Sequence, residues 1–193
     1  MKHFSLLLIF ILLLSGCKKD STFIPIPSTE YQKYTIRMGE HFCDNSTITP
    51  VNLSRLSFDV KFDSTAIYRS TDSVNQYDVN KLMGFTEGID PHINSARIGW
   101  SFNDEKLRLY AYVYNNGIRR LQELCPVEIG DDINCSIEII GGQYEFKVNG
   151  NQLSLSRGLS TAITSGYLLF PYFGGDETAP SEINIFIKGP VIS

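Results

Sequence analysis

The side chains best suited to chemistry in this 193-residue chain stand at alternate positions of two adjoining segments. One segment carries Arg97, Gly99 and Ser101; the other carries Arg108, Tyr110, Tyr112 and Tyr114. Alternation of this kind puts each set on a single face of a β-strand. Joined as a hairpin through 103–106, the strands set Tyr110 across from Gly99, where its ring has room to lie flat. The same register sets Arg97 across from Tyr112, within cation–π reach. Flat aromatic rings beside planar hydrogen-bonding side chains suit a sugar, whose C–H faces stack and whose hydroxyls pair. Arg97, Arg108, Tyr110, Tyr112 and Tyr114 are therefore expected to form a glycan platform, with Arg119 and Tyr172 at its rim. A bulge at 115–117 would turn Arg119 to the opposite face. The plainer reading of these tyrosines is a covered second layer in which each hydroxyl bonds locally.

The same region holds the residue types of a lyase: a Tyr or His to move a proton and an Arg or Asn to neutralise a uronate carboxylate. His92, Asn94, Arg97, Tyr110 and Tyr112 supply those types. The Arg-x-Glu-Leu-Arg, Gln-Ile-His and Tyr-x-Lys-Ala-Gly signatures of jelly-roll alginate lyases do not occur. A glycosidase needs a carboxylate pair, and a two-residue turn at Gly141-Gly142 would make Glu138 and Glu145 direct partners across two strands. A retaining pair stands about 5–5.5 Å apart, yet like charges in that position destabilise a sheet unless a neighbour such as Lys147 compensates. The Glu-x-Asp-x-x-Glu strand of a laminarinase-like jelly roll is missing. Gly174-Gly175-Asp176-Glu177 offers a cation only two local acids and reads as a solvated loop. His41 and His92 lack ligand spacing to any Cys. No metal and no cofactor are implied.

Positioning falls to strands. Period-two alternation recurs at 33–38, 56–63, 95–102, 107–114, 118–124, 134–140, 143–148, 152–155, 166–170 and 183–188, and the one helical turn expected lies at 77–83. Asn116-Gly117, Gly141-Gly142, Asn149-Gly150 and Gly174-Gly175 supply turns between them. Ile137, Ile139, Tyr144, Phe146, Val148, Leu153 and Leu155 then share an apolar face, and Glu138, Gln143, Glu145 and Lys147 its wet reverse. The class is all-β, a two-sheet antiparallel jelly-roll sandwich in which 183–188 closes beside 34–38.

Ahead of the domain, residues 1–16 read as a signal peptide: a short charged start and an apolar run too short to span a bilayer. Leu14-Ser15-Gly16-Cys17 resembles a bacterial lipobox, with Cys17 as the lipidated residue and the bilayer as its partner. Several acyl chains on one residue satisfy the need for more than one anchor. Residues 17–30 form a stalk, extended at about 3 Å per residue, and 31–193 one sandwich domain. Cleavage removes one of 17 basic residues and none of 21 acids, so the mature chain is mildly acidic and nucleic acid is excluded as a partner. Cys43, Cys125 and Cys135 cannot all pair within the chain; the expected readings are three free thiols or a Cys125–Cys135 bridge.

Three stretches carry a resemblance: 80–85 (NKLMGF); 94–100 (NSARIGW) leading to 110–117 (YAYVYNNG); and 171–175 (PYFGG) with Ala179-Pro180 and Ile183-Asn184-Ile185. Together they resemble a group of poorly characterised cell-envelope lipoproteins of Bacteroidota with a concanavalin A-like jelly-roll domain. That likeness implies the fold and a cell-envelope address at the outer membrane, with exposure at the cell surface a further expectation. Lys18-Lys19-Asp20 is similar to the charged export signals of such lipoproteins. The leading expectation is a lipid-anchored, non-catalytic binder of a polysaccharide or oligosaccharide. The alternatives are a polysaccharide lyase or glycoside hydrolase on the same fold, and a structural or protein-interaction lipoprotein. A groove holding an acid pair or a Tyr–His–Arg cluster would favour an enzyme.

Overall fold

A computed structural model describes residues 29–193; the segment expected to be a signal peptide, Cys17 and most of the expected stalk lie outside the described residues. Twelve strands run in chain order: β1 (Gln32–Ile36), β2 (Pro50–Leu53), β3 (Arg55–Phe62), β4 (Asn80–Thr86), β5 (Ser95–Asn103), β6 (Lys106–Asn115), β7 (Ile118–Val127), β8 (Ile133–Ile140), β9 (Gln143–Val148), β10 (Asn151–Ser156), β11 (Thr164–Leu169) and β12 (Ile183–Ile192). They form two six-stranded antiparallel sheets, ordered β1-β12-β3-β8-β9-β10 and β2-β11-β4-β5-β6-β7. The expected all-β jelly-roll sandwich is the fold observed, and β1 and β12 pair as anticipated, with Tyr34 opposite Ile185.

Turn chemistry fixes the hairpins. Asn116-Gly117, Gly141-Gly142 and Asn149-Gly150 each have both residues at positive φ, the geometry that matches the twist of the strands they join. Asp104-Glu105 does the same at φ +49° and +58° without a glycine. Because left-handed backbone disfavours a Cβ, this turn is held by the ladder on either side of it, where Asn103 pairs with Lys106.

Alternation then fills the core. Ile98, Trp100, Phe102, Leu107, Leu109, Ala111 and Val113 face inward from β5 and β6, against Ile137, Tyr144, Phe146 and Val148 from the other sheet. Trp100, Tyr144, Phe62, Phe85 and Phe146 are fully enclosed, each large side chain contributing about 1.5–3 kcal/mol.

Two expectations need correction. The helical turn placed at 77–83 is a short 3-10 turn at Ser73–Tyr77 followed by β4. The strand was obscured by a bulge: Lys81 pairs with Gly99 and Gly84 with Arg97, leaving Leu82 and Met83 together across from Ile98. Two consecutive apolar side chains thus both reach the core, which breaks the period-two pattern. The second concerns the Cys125–Cys135 bridge, one of the two readings open for these thiols: both are free, as is Cys43, so the free-thiol reading is the one observed. Cys125 lies on β7 and Cys135 on β8, in facing sheets.

Candidate functional site

The bulge in β4 carries a chemical consequence. It turns Lys81 onto the face of the second sheet that looks away from the core, beside Arg97 of β5 and Tyr112 of β6. Gly84, opposite Arg97, clears a path for that arginine: a Cβ there would stand 2.8 Å from Arg97 Cγ and 2.1 Å from the Ala96 carbonyl oxygen. Tyr114 continues the row, and Arg119 of β7 pairs with it in the ladder, so no bulge displaces Arg119. The bulge of β7 falls farther along, between Glu123 and Cys125.

These side chains line a cavity of about 650 Å³. Tyr167 and the 168–172 segment form one wall, Phe42 with 46–48 another, and His92 and Asp176 stand at the margin. Backbone bonds between Lys81 and Tyr172, both at 2.9 Å, clamp the wall to the floor. The Tyr172 ring is stacked on His41, with centroids 5.2 Å apart and an interplanar angle of 8°, while Phe42 meets it edge-on at 5.0 Å. His41 Nδ1–H donates to the Phe173 carbonyl at 2.8 Å. His92 packs edge-on against Tyr114 at 5.2 Å.

Charge is the dominant property of the floor. Among the described residues, no carboxylate forms an ion pair with Lys81, Arg97 or Arg119. Arg97 Nε is buried and has no hydrogen-bond partner among them. Burial draws the Arg97 guanidinium down to about 10, still charged at neutral pH. Burial, aided by the fields of Arg97 and Arg119, brings the Lys81 amine down to about 8, with Asp78 opposing. Tyr112 moves the other way, to about 12, through burial and its hydrogen bond with Tyr114. A basin with unpaired cations and protonated phenols is suited to an anion.

Of the seven sequence-predicted residues, Arg97, Tyr112, Tyr114, Arg119 and Tyr172 line this cavity. Tyr110 and Arg108 do not. Residues 73–79 cross the face at that point, and Val79 packs on Tyr110, whose ring is covered; its hydroxyl shares a hydrogen bond with Ser101 at 3.0 Å. Arg108 donates to Asn103 at 2.8 Å and to Glu123 at 2.9 Å. The face is divided: Tyr110 and Tyr112 are both buried, at 8% and 3% exposure, in one cluster with Val79, and of the two only Tyr112 reaches the cavity lining, where half-buried Tyr114 continues it. Lys81 and Tyr167 were missed: the first sits just before a bulge that hid its strand, and the second lies in a strand with no charged or aromatic pattern to single it out.

Glu138 and Glu145 face one another as expected, but on the first sheet, outside this cavity. Arg55 stands 3.6 Å from Glu138 and Lys147 2.7 Å from Glu145, so each acid has its own cation. Glu177 accepts bonds from the Thr71 and Asp72 amides and from Asn75, which commits it to fixing a turn. No three His, Cys, Asp or Glu side chains converge to hold a metal among the described residues.

The chain is a jelly-roll sandwich with a cationic, tyrosine-lined pocket on one sheet. No protein-family model and no curated protein matches it. Solved structures do. The alginate lyase AlyC3 superposes with a TM-score of 0.60 at 12% identity, covering 84% of this chain and 74% of that one. Its complex with dimannuronate gives 0.56 at 11% identity over the same shares. Alginate lyase A1-II', a member of polysaccharide lyase family 7, gives 0.53 at 13% identity, covering 84% of this chain and 79% of that one. At such identities the likeness establishes the fold. The leading sequence expectation, non-catalytic glycan recognition, is corrected by these neighbours, which are lyases. The alternative held beside it, a polysaccharide lyase, takes its place below.

Proposed function

We propose that this protein is a polysaccharide lyase that cleaves a uronate-containing glycan by β-elimination. The observation that carries the proposal is the pair of unpaired cations, Lys81 and Arg97, at the floor of a cavity walled by Tyr112, Tyr114, Tyr167 and Tyr172. Elimination needs three things: a cation to hold the uronate carboxylate and make the neighbouring C5–H acidic, a base for that proton, and an acid for the departing glycosidic oxygen. Arg97, which lines the cavity and has no carboxylate partner of its own, supplies the first. Arg119, exposed at the rim, meets the next uronate along the chain. Tyr112 supplies the acid, because a phenol held near 12 stays protonated at working pH.

A glycosidase is disfavoured by the same geometry. Its carboxylate pair would have to stand inside the cavity, where Asp176 is the acid that lines it. Of the Tyr–His–Arg combination that would distinguish an enzyme from a passive binder, Tyr112 and Arg97 line the cavity together, while His92 stands exposed at its margin against Tyr114. The cavity volume of about 650 Å³ falls in the range for sites that enclose most of a ligand, so a short stretch of glycan fits. Lipidation at Cys17 would hold this activity at the cell envelope, and radiolabelled palmitate incorporated in the wild type but not in Cys17→Ala would test that tether.

The reaction itself is tested with protein beginning at Ser21 and a panel of polyuronates. The expected result is a rise in the ultraviolet absorbance of a C4=C5 double bond conjugated to the carboxylate, slowed about 10²–10³-fold in Arg97→Ala. A flat trace on every polyuronate would overturn the proposal.

A further inference from the structure

The site leaves one role open, the base that takes the C5 proton. We infer that Lys81 is that base, its uncharged amine removing the proton from the uronate whose carboxylate rests on Arg97. The assignment rests on the lyase reading above and goes a step past it.

Position comes first. Lys81 Nζ stands 5.2 Å from the ring centre of Tyr112 and 5.4 Å from that of Tyr172, between the phenol of the floor and the phenol of the wall. Its backbone is clamped on both sides by Tyr172. A Cβ at position 174 would stand 2.5 Å from Nζ, so Gly174 leaves the amine its room. The alternative bases are occupied or peripheral. His41 is stacked on Tyr172 and bonded to the Phe173 carbonyl. His92 is largely exposed, with Asp90 at 3.4 Å.

Its surroundings come second. The groups facing Lys81 are Arg97 from β5, Tyr112 from β6, Arg119 from β7, Tyr172 from the segment after β11 and Asp78 from the segment before β4; Asp176 lines the same cavity. Two cations disfavour a third, and burial disfavours it further. The lysine is pushed down to about 8 while the neighbouring tyrosine is pushed up to about 12. Environments that drive two titrating groups apart in this way set which is base and which is acid.

The step balances. The Lys81 amine takes the proton from C5, and the C5–H electron pair becomes the C4=C5 double bond. The C4–O bond breaks with its pair on oxygen, which takes the phenolic proton of Tyr112. Transfer from the Lys81 ammonium to the Tyr112 phenolate restores both groups, directly or through water.

Lys81→Arg tests this, because a guanidinium keeps the charge and cannot act as a base. The expected result is a loss of about 10²–10⁴-fold in kcat with KM changed only a few-fold and an unchanged melting curve. Lys81→Ala is expected to regain turnover with added methylamine, in proportion to the unprotonated amine. Wild-type kcat/KM is expected to climb with pH through a midpoint near 8 and level off above it. An active Lys81→Arg with an unchanged pH profile would overturn the assignment and leave the lyase reading standing. A wild type that forms no unsaturated ends would overturn both. Independently of turnover, NMR titration of isotope-labelled dimethyl-lysines is expected to show one midpoint near 8, missing in Lys81→Arg. A full set at the ordinary lysine value of about 10.4 would also overturn it.

Discussion

Arg97 lies directly across the ladder from Gly84, and the space that a side chain at 84 would fill is occupied by the arginine's own stem, 2.8 Å from the position of the missing Cβ. Gly84→Ala should therefore cost stability by overpacking, about 1–3 kcal/mol, and also displace the guanidinium. Denaturant unfolding and kcat/KM measured on the same preparation check this. Both should fall, whereas a stable and fully active variant would show that Arg97 does not need this path.

Arg97 itself should act through the carboxylate. Arg97→Ala is expected to lower kcat/KM by about 10²–10³-fold, the usual loss when a charge-stabilising donor is removed. Its effect should vanish on a methyl-esterified substrate, which offers no carboxylate. Kinetics on the acid and ester forms side by side measure the difference.

Arg108 and Tyr110 share a face with the site but not its cavity. Tyr110→Phe and Arg108→Gln should leave turnover within about twofold, while Tyr110→Phe loses the Ser101 hydrogen bond and roughly 0.5–1.5 kcal/mol of stability. Assays paired with melting curves separate the two effects.

A buried ion pair anchors the far end of the sandwich. Arg157 and Glu87 are in contact with side chains 0% and 1% exposed, and Arg157 also donates to the Leu159 carbonyl at 3.2 Å and to Thr161 Oγ1 at 2.9 Å. Removing one partner leaves the other charge buried, so Glu87→Gln and Arg157→Met should each cost about 3–5 kcal/mol. The double variant should recover much of that loss, and a double-mutant cycle in denaturant reads the coupling.

The turn at Asp104-Glu105 holds a glutamate at φ +58°. Glu105→Gly should raise stability by about 1 kcal/mol by relieving the left-handed backbone, even though it gives up the exposed pair with Arg69, which is worth little. The midpoint of thermal unfolding should rise by several degrees.

What was legible in the sequence follows from where local pattern and tertiary structure agree. The β5–β6 register, with Arg97 on Tyr112 and Gly99 on Tyr110, was readable because both strands alternate without interruption. β4 was not, since its bulge sets Leu82 and Met83 side by side and mimics a helical turn. Lys81, one of the three cations of the site, was lost with it. Tyr110 was misplaced for another reason: the segment that covers it, through Val79, comes from thirty residues upstream and leaves no mark on the hairpin. Tyr172 was found at the rim because Pro171 ends one strand and exposes the next aromatic residue, although its stacking on His41 depends on a long-range contact. The function class turned on whether the tyrosine face was open and what stood inside it, and both depend on β4.

The central claim is tested most directly by NMR analysis of the ends produced when a polyuronate is incubated with the wild type and with Arg97→Ala. The account predicts olefinic H4 signals from new unsaturated termini with the wild type, accumulating about 10²–10³-fold more slowly with the variant. New ends that are saturated, each gained with a molecule of water, would mean hydrolysis and would contradict it.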